Sequence, residues 1–323
     1  MLTNKRVLIT GATGFVGANL VKSCLKKGAD IYLLTRATSN KWRINDILKD
    51  VSEFSADLTD NQAVEKLVLT IRPEIIFHTA VYGGFPYQRD LKKTIDTNLL
   101  GTINLIEACE KVGFKLFINT GSSSEYGVKE EPIKEDSPLT PFSSYGISKA
   151  FATQFCQMKF RTGLPVITLR LFSPYGYYEG ATRLIPSVIL SSLKDIAPEV
   201  SSPTSVRDFV FIEDVVNAYL KAVDMKDRLN TDVFNIGSGL QHSVGEVVEK
   251  ILFLTGKKIK PKWGSVSNPR IEPKIWQADI SKTEQILNWQ PKHSLDNGLN
   301  KTLIWFKENS LMYEGEVSNG DIL

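Results

Sequence analysis

Cysteine is scarce in this chain of 323 residues. The three present, Cys24, Cys109 and Cys156, are odd in number, far apart, and each inside a helical pattern. That spacing argues against a disulfide framework or a zinc cluster and leaves them as small buried hydrophobes in a reducing compartment. An excess of one charge is also missing. Lys and Arg number 39 against 36 Asp and Glu, a formal net charge of +3, so no polyanion such as nucleic acid is implied as a partner. No apolar run is long enough to span a bilayer, and the only one near the N-terminus, Val7 to Ile9, reads as a strand and not as a signal peptide. The expectation is a cytoplasmic protein with no membrane segment and no metal. Internal repeats and low-complexity tracts are absent too, and the length suits one large α/β domain or a domain with a smaller partner.

What the chain does have is RVLITGATGFVG, from Arg6 to Gly17, with Gly11, Gly14 and Gly17 three residues apart. An apolar run, a glycine turn and a helix in that order open a βαβ unit, where backbone N–H groups at the helix start can hold a pyrophosphate. Gly11, Thr13, Gly14, Phe15, Val16 and Gly17 are the expected contacts. A second strand, Ile31 to Leu34, ends in Thr35-Arg36 where an acidic residue would hold the ribose hydroxyl of NAD. With Ser39, Lys41 and Arg43 close behind, Arg36 favours NADP(H), a guanidinium being able to pair with a 2′-phosphate; NAD(H) stays open.

The rest of the chain continues the alternation. Val51 to Ser55 reads as a third strand followed by Asp57-Leu58, where Asp57 either reaches the adenine or holds the turn, and Asp60 caps a helix from Asn61 to Ile71. A fourth strand, Glu74 to Thr79, leads to Thr79, Ala80 and Val81, which should lie over the cofactor, while His78 reads as a satisfied core histidine. Leu91 to Lys111 is expected as one long helix carrying Asn98. A fifth strand, Lys115 to Asn119, precedes the serine loop from Gly121 to Gly127. A helix from Ser143 to Arg161 then sets Tyr145 and Lys149 one turn apart, and a sixth strand, Pro165 to Leu171, runs into Phe172 and Ser173.

The implied fold is α/β, a doubly wound parallel sheet of the Rossmann kind with a smaller, mostly C-terminal, substrate-binding lobe. Segments 209–212 and 232–236 are expected to return to the main sheet. The dinucleotide domain is then 1–172 plus 209–238 and the second lobe 173–208 plus 239–310, with 311–323 a frayed polar tail.

A phenol is a poor acid at neutral pH unless a cation favours its ionised form, and Lys149 supplies one to Tyr145. Tyr145 could then give a proton to a carbonyl oxygen as hydride arrives, or take one from an alcohol in reverse, with Ser122, Ser123 or Ser124 positioning that oxygen.

This order of motifs resembles the extended short-chain dehydrogenase/reductases: TGATGFVG, Asp57-Leu58, Asn98, the serine loop with Tyr126-Gly127, and YGISK. Arg207-Asp-Phe-Val with Asp214-Val215, Asn235-Ile-Gly237, Arg270, Ala278-Asp279-Ile280, Leu287-Asn-Trp289 and Pro291 are similar to its nucleotide-sugar branch. The resemblance implies Tyr145 as acid/base, Lys149 as its activator and ribose ligand, and a serine partner, Ser122 or else Ser123 or Ser124. It further implies Phe172 on the cofactor and Arg207 and Arg270 clamping a diphosphate. Tyr82, Ser123, Ser124, Ser173 and Arg183 fall on the substrate side, Ser173 standing where many relatives have asparagine.

A 4,6-dehydratase of this branch would carry Asp-Glu where this chain reads Ser123-Ser124, so elimination is unsupported unless a one-residue slip brings Glu125 into play. Arg36 and the loop Ala80 to Gly83, similar to that of abequose and paratose synthases, point to NADPH-dependent reduction of a nucleotide-linked 4-keto-6-deoxyhexose, supplying a deoxysugar donor for surface glycans such as lipopolysaccharide O-antigen. The alternatives are a nucleotide-sugar 4-epimerase with retained NAD and, less favoured, a non-catalytic NADP-binding regulator. By the same resemblance a homodimer forms through a four-helix bundle of the helices 91–111 and 143–161.

Overall fold

In the first strand Val7 and Ile9 must face one way and Leu8 the other, and all three are fully buried, so the sheet they begin is covered on both sides. A computed structural model of the chain describes residues 2–266 and 273–313. The first half runs β1 (Arg6–Thr10), α1 (Phe15–Lys26), β2 (Asp30–Thr35), β3 (Ser52–Ser55), α2 (Asn61–Ile71), β4 (Ile75–His78), α3 (Leu91–Ile95), α4 (Gly101–Val112), β5 (Leu116–Ser122), α5 (Ser144–Arg161) and β6 (Val166–Leu171). The second runs β7 (Ser173–Tyr175), α6 (Leu184–Leu193), β8 (Glu199–Val200), β9 (Val206–Phe211), α7 (Ile212–Met225), β10 (Val233–Ile236), β11 (Gln241–Ser243), α8 (Val244–Thr255), β12 (Lys262–Trp263), α9 (Ser281–Leu287) and α10 (Leu295–Asn309).

Seven strands form one parallel sheet in the order β10-β6-β5-β4-β1-β2-β3, the doubly wound arrangement expected, with a seventh strand added at the β6 edge. Val7 and Ile9 pack in a layer with residues of α1 and α7, while Leu8 packs in the opposite layer with Val64, Leu67 and Val68 of α2 and Leu105 and Ile106 of α4. Asp60 caps α2 as its sequence suggests, accepting from the Ala63 N–H, and Ser143 caps α5, accepting from the Gly146 N–H. All three cysteines are free and buried, and burial pushes the Cys24 and Cys156 thiols up to about 12.

Three features depart from the sequence reading. Strand β9 does not join the main sheet. The edge of β6 is occupied by β10, with Val233 opposite Thr168, so β9 instead pairs parallel with β7 and antiparallel with β11 in a separate three-stranded sheet. The helix expected over 91–111 forms without interruption but carries a π-helical turn, Asp96–Leu100, in which Asn98 is buried. Finally, residues 310–313 form a helical turn whose Tyr313 is buried among Trp42, Trp305 and Phe306, although the expected tail begins at 311. Among the described residues no helix is long and apolar enough to cross a membrane, and no group of His, Cys, Asp or Glu could hold a metal ion.

Candidate active site

The carboxyl ends of β1, β4, β5 and β6 open into a cavity of about 1330 Å3, larger than the roughly 300–1,000 Å3 of a single small-molecule site. Its floor is the glycine turn. Gly11 has φ +68°, and a β-carbon there would lie 2.5 Å from the Ala80 nitrogen; one on Gly17 would lie 2.2 Å from the Gly11 oxygen. These two glycines pack the turn against β4 and α1.

Gly14 is different. It is exposed, its φ is −81°, and a β-carbon would meet only the Gly11 oxygen at 3.2 Å, so the protein itself places little demand on glycine here. Helix α1 then starts at Phe15 with no capping side chain and no acidic residue in its first turn. An uncapped helix start beneath a bare glycine backbone fits the diphosphate of a dinucleotide.

The opposite wall is the serine turn. Strand β5 continues through Ser122, and Ser122 to Glu125 close a capping box: Ser122 Oγ accepts from the Ser124 N–H at 3.1 Å, and Glu125 Oε1 accepts from the Ser122 N–H at 2.8 Å. Glu125 is itself buried and held by Arg170, whose Nε donates to Oε2 at 2.7 Å. Glu125 is thus paired within the fold and is absent from the cavity lining.

Helix α5 carries Tyr145 and Lys149 to this turn. A β-carbon at Gly146 would stand 2.5 Å from the Ser124 oxygen, so glycine is what lets the first turn of the helix touch the serine backbone. Both Tyr145 and Lys149 line the cavity with Ser122, Ser123 and Ser124. Lys149 is buried, which lowers its pKa, while Glu125 and Cys156 work to raise it. His78 lies behind, bonded through Nδ1 to Thr10 at 2.7 Å and through Nε2 to Thr102 at 2.9 Å. Burial, helped by Lys149, pushes its pKa down to about 3, so it is a neutral core residue as its sequence context suggested.

Residues 7–237 match the model of the family described as NAD dependent epimerase/dehydratase. The chain belongs to that family. It is 27% identical to a UDP-glucose 4-epimerase of Lactobacillus helveticus, over 96% of this chain and 99% of that one. Among solved structures, a UDP-glucose 4-epimerase with UDP-glucose from Thermotoga maritima superposes with a TM-score of 0.87 at 25% identity, covering 94% and 99% of the two chains. A UDP-glucuronic acid 4-epimerase from Bacillus cereus, in complex with UDP-glucuronic acid and NAD, gives 0.84 at 26% over the same shares.

Against this epimerase/dehydratase framework, the residues expected at the site divide. Gly11, Gly14, Phe15, Val16, Gly17, Thr79, Val81, Phe172 and Ser173 line the cavity with the catalytic candidates. Others are held elsewhere. Arg36 is exposed and outside the lining; Asp57 folds back on Thr59, accepting from its N–H at 2.9 Å and its hydroxyl at 2.8 Å; Leu58 is buried against Gly101. Burial works to raise the Asp57 pKa, but the Thr59 bonds, Arg36 and Lys93 bring it below the usual carboxylate range.

Asn98, expected on the cofactor, spends its whole amide inside the protein. Its Oδ1 accepts from the Tyr82 N–H at 2.8 Å, and its Nδ2 donates to the Tyr82 carbonyl at 2.8 Å and to Ser148 Oγ at 2.9 Å. It therefore fixes the loop after β4 against α5. Ala80 packs on Gly11, Thr13 offers its carbonyl to Arg43, and Tyr82 stands outside the cavity wall that its neighbours Val81 and Gly83 form.

From the start of α6, Arg183 lines the cavity, donates to the Gly84 carbonyl at 2.7 Å and lies 4.2 Å from the centre of the Phe85 ring. Arg207 lines it too, donating to the Val206 carbonyl at 2.6 Å beside Trp276. Arg270 lies outside the described residues. Sequence reasoning missed Trp42, Phe85 and Glu179, all in the lining, and noted Arg43 only as a neighbour of Arg36. No periodicity marks them, since each sits in a loop.

Proposed function

We propose that the chain is a nucleotide-sugar 4-epimerase that acts on a UDP-linked hexose with a retained nicotinamide dinucleotide. The observation that carries this reading is the shared wall of Tyr145, Lys149 and the serine turn, with Ser123-Ser124 where a dehydratase would carry Asp-Glu and Glu125 paired with Arg170. The kinship with UDP-sugar 4-epimerases along nearly the whole chain supports it over the NADPH-dependent 4-ketoreduction that the sequence first suggested. The UDP-glucuronic acid 4-epimerase neighbour carries NAD, which supports NAD as the retained cofactor although Arg36 stands exposed just past β2.

When bound, the dinucleotide supplies a hydride acceptor that also returns the hydride. Gly11, Gly14 and the start of α1 would hold its diphosphate, and Lys149 its nicotinamide ribose. Tyr145 takes the proton from the C4 hydroxyl on oxidation and gives it back on reduction, its phenolate favoured by the Lys149 ammonium. A serine hydroxyl of the 122–124 turn hydrogen-bonds the same oxygen and keeps it in place. Because the proton and hydride both return to the sugar, the reaction consumes no cofactor, and inversion requires only that the keto sugar present its other face.

The partner we propose is a second copy of this chain. Ile147, Phe151 and Met158 of α5 and Leu91 and Leu100 of the helix with the π turn are exposed apolar residues on neighbouring elements. They suit the four-helix dimer that the resemblance implies.

The purified chain, given UDP-glucose and no added cofactor, is expected to form UDP-galactose detectable by proton NMR. NADPH consumption with a 4-keto-6-deoxy sugar nucleotide, and no epimer from any UDP-hexose, would return the chain to the reductases.

A further inference from the structure

One carboxyl in the cavity has no part in the reading above. Glu179 lines the cavity yet is only 8% exposed, and its Oε2 has no hydrogen-bond partner. A buried polar atom without a partner is costly, and in a ligand cavity it marks where a ligand atom belongs.

The surroundings of Glu179 say which ligand atom. Asn19 of α1 donates to the Tyr177 carbonyl at 2.9 Å, laying residues 177–180 against the start of that helix. Arg43 ties the same segment to the glycine turn, donating from Nε to the Tyr178 carbonyl at 2.7 Å and from Nη1 to the Thr13 carbonyl at 3.3 Å. The charges facing the carboxyl are Arg43, from the loop after β2, and Arg183, at the start of α6. Among the described residues, Tyr175 of β7 and Tyr313, whose hydroxyl donates to the Glu179 carbonyl at 3.0 Å, are the titratable groups packed around it.

We propose that Glu179 is kept as a neutral carboxylic acid whose Oε2–H donates to a phosphate oxygen of a diphosphate bound in this cavity. The inference rests on the nucleotide-binding reading of the cavity and is independent of epimerisation. An ionised carboxylate here would repel the diphosphate; the protonated acid turns an unsatisfied acceptor into a donor. Burial pushes the Glu179 pKa up to about 8, with Arg183, the Gly176 N–H and Arg43 pulling it only part of the way back. A diphosphate adds negative charge beside it and raises the pKa further, so binding above pH 8 takes up a proton.

The test is calorimetric titration of the full chain, freed of copurified nucleotide, with NAD+ and separately with UDP-glucose, from pH 7 to 9 and in two buffers of different ionisation enthalpy. The wild type should take up close to one proton at pH 9 and none at pH 7, with Kd weakening about tenfold across that range, a factor of ten per pH unit above the pKa. Glu179→Gln, which keeps the shape and a donor, should bind with no proton uptake and a flat pH profile. A slope confined to NAD+ assigns the contact to the cofactor's diphosphate, and one confined to UDP-glucose to that of the sugar nucleotide. A wild-type Kd flat for both ligands, or a slope that survives in Glu179→Gln, would overturn the proposal. Because both arms read binding, they are informative whether or not the protein turns over.

Discussion

Arg170 Nε donates to Glu125 Oε2 at 2.7 Å with both side chains buried, and the same Glu125 holds the Ser122 N–H through its other oxygen. The serine turn is thus anchored by an ion pair that water does not reach. Breaking it from one side leaves a buried charge alone, so Arg170→Ala should lose about 3–5 kcal/mol in urea unfolding. The paired replacement Arg170→Met with Glu125→Gln should recover much of that loss.

Tyr145→Phe removes the hydroxyl proposed above to carry the proton. Turnover should fall by about 10²–10⁴, while quenching of intrinsic fluorescence by NAD+ titrates as in the wild type. Equal loss of both would mean that the phenol serves binding and not proton transfer.

Gly146→Ala puts a methyl group 2.5 Å from the Ser124 oxygen. The start of α5 must then move away from the serine turn, and the overpacking should cost roughly 1–3 kcal/mol. The mark of a positioning defect would be a fall in kcat larger than any change in KM for the sugar nucleotide.

His78 sets an acid limit on stability. Its folded pKa is about 3 against an ordinary 6.5, so the unfolded chain binds the extra proton between these values. Its contribution is fully present above pH 6.5 and is lost as pH falls toward 3. His78→Gln should flatten the decline in Tm between pH 6.5 and 4, and a decline as steep as the wild type's would refute the assignment.

Phe151→Glu places a charge in the middle of the exposed apolar face of α5, where Phe151 is 51% exposed. If two copies meet there, size-exclusion chromatography should show the monomer, with the circular dichroism spectrum unchanged.

The parts of this fold that announce themselves do so through pattern. Val7 to Gly17 reads as strand, turn and helix because apolar period and glycine spacing change together, and Tyr145 with Lys149 stands out only in the order of surrounding motifs. Strand β9 carries the same apolar signal as a main-sheet strand, and only the occupancy of the β6 edge by β10 decides where it pairs. The π turn around Asn98 has no local signature, since it is fixed by contacts to Tyr82 and Ser148 that lie 16 and 50 residues away. Arg36 and Arg43 share one polar loop, and loop geometry alone turns the second of them toward the cavity. Glu179 is an acidic residue among glycine and tyrosine, and nothing in its neighbours announces that it will be buried.

The short sheet formed by β7 and β9 hangs from the same stretch of chain that carries Arg170, because β6 passes through Phe172 directly into β7. Any displacement of this short sheet would therefore be felt by the strand whose guanidinium anchors the serine turn.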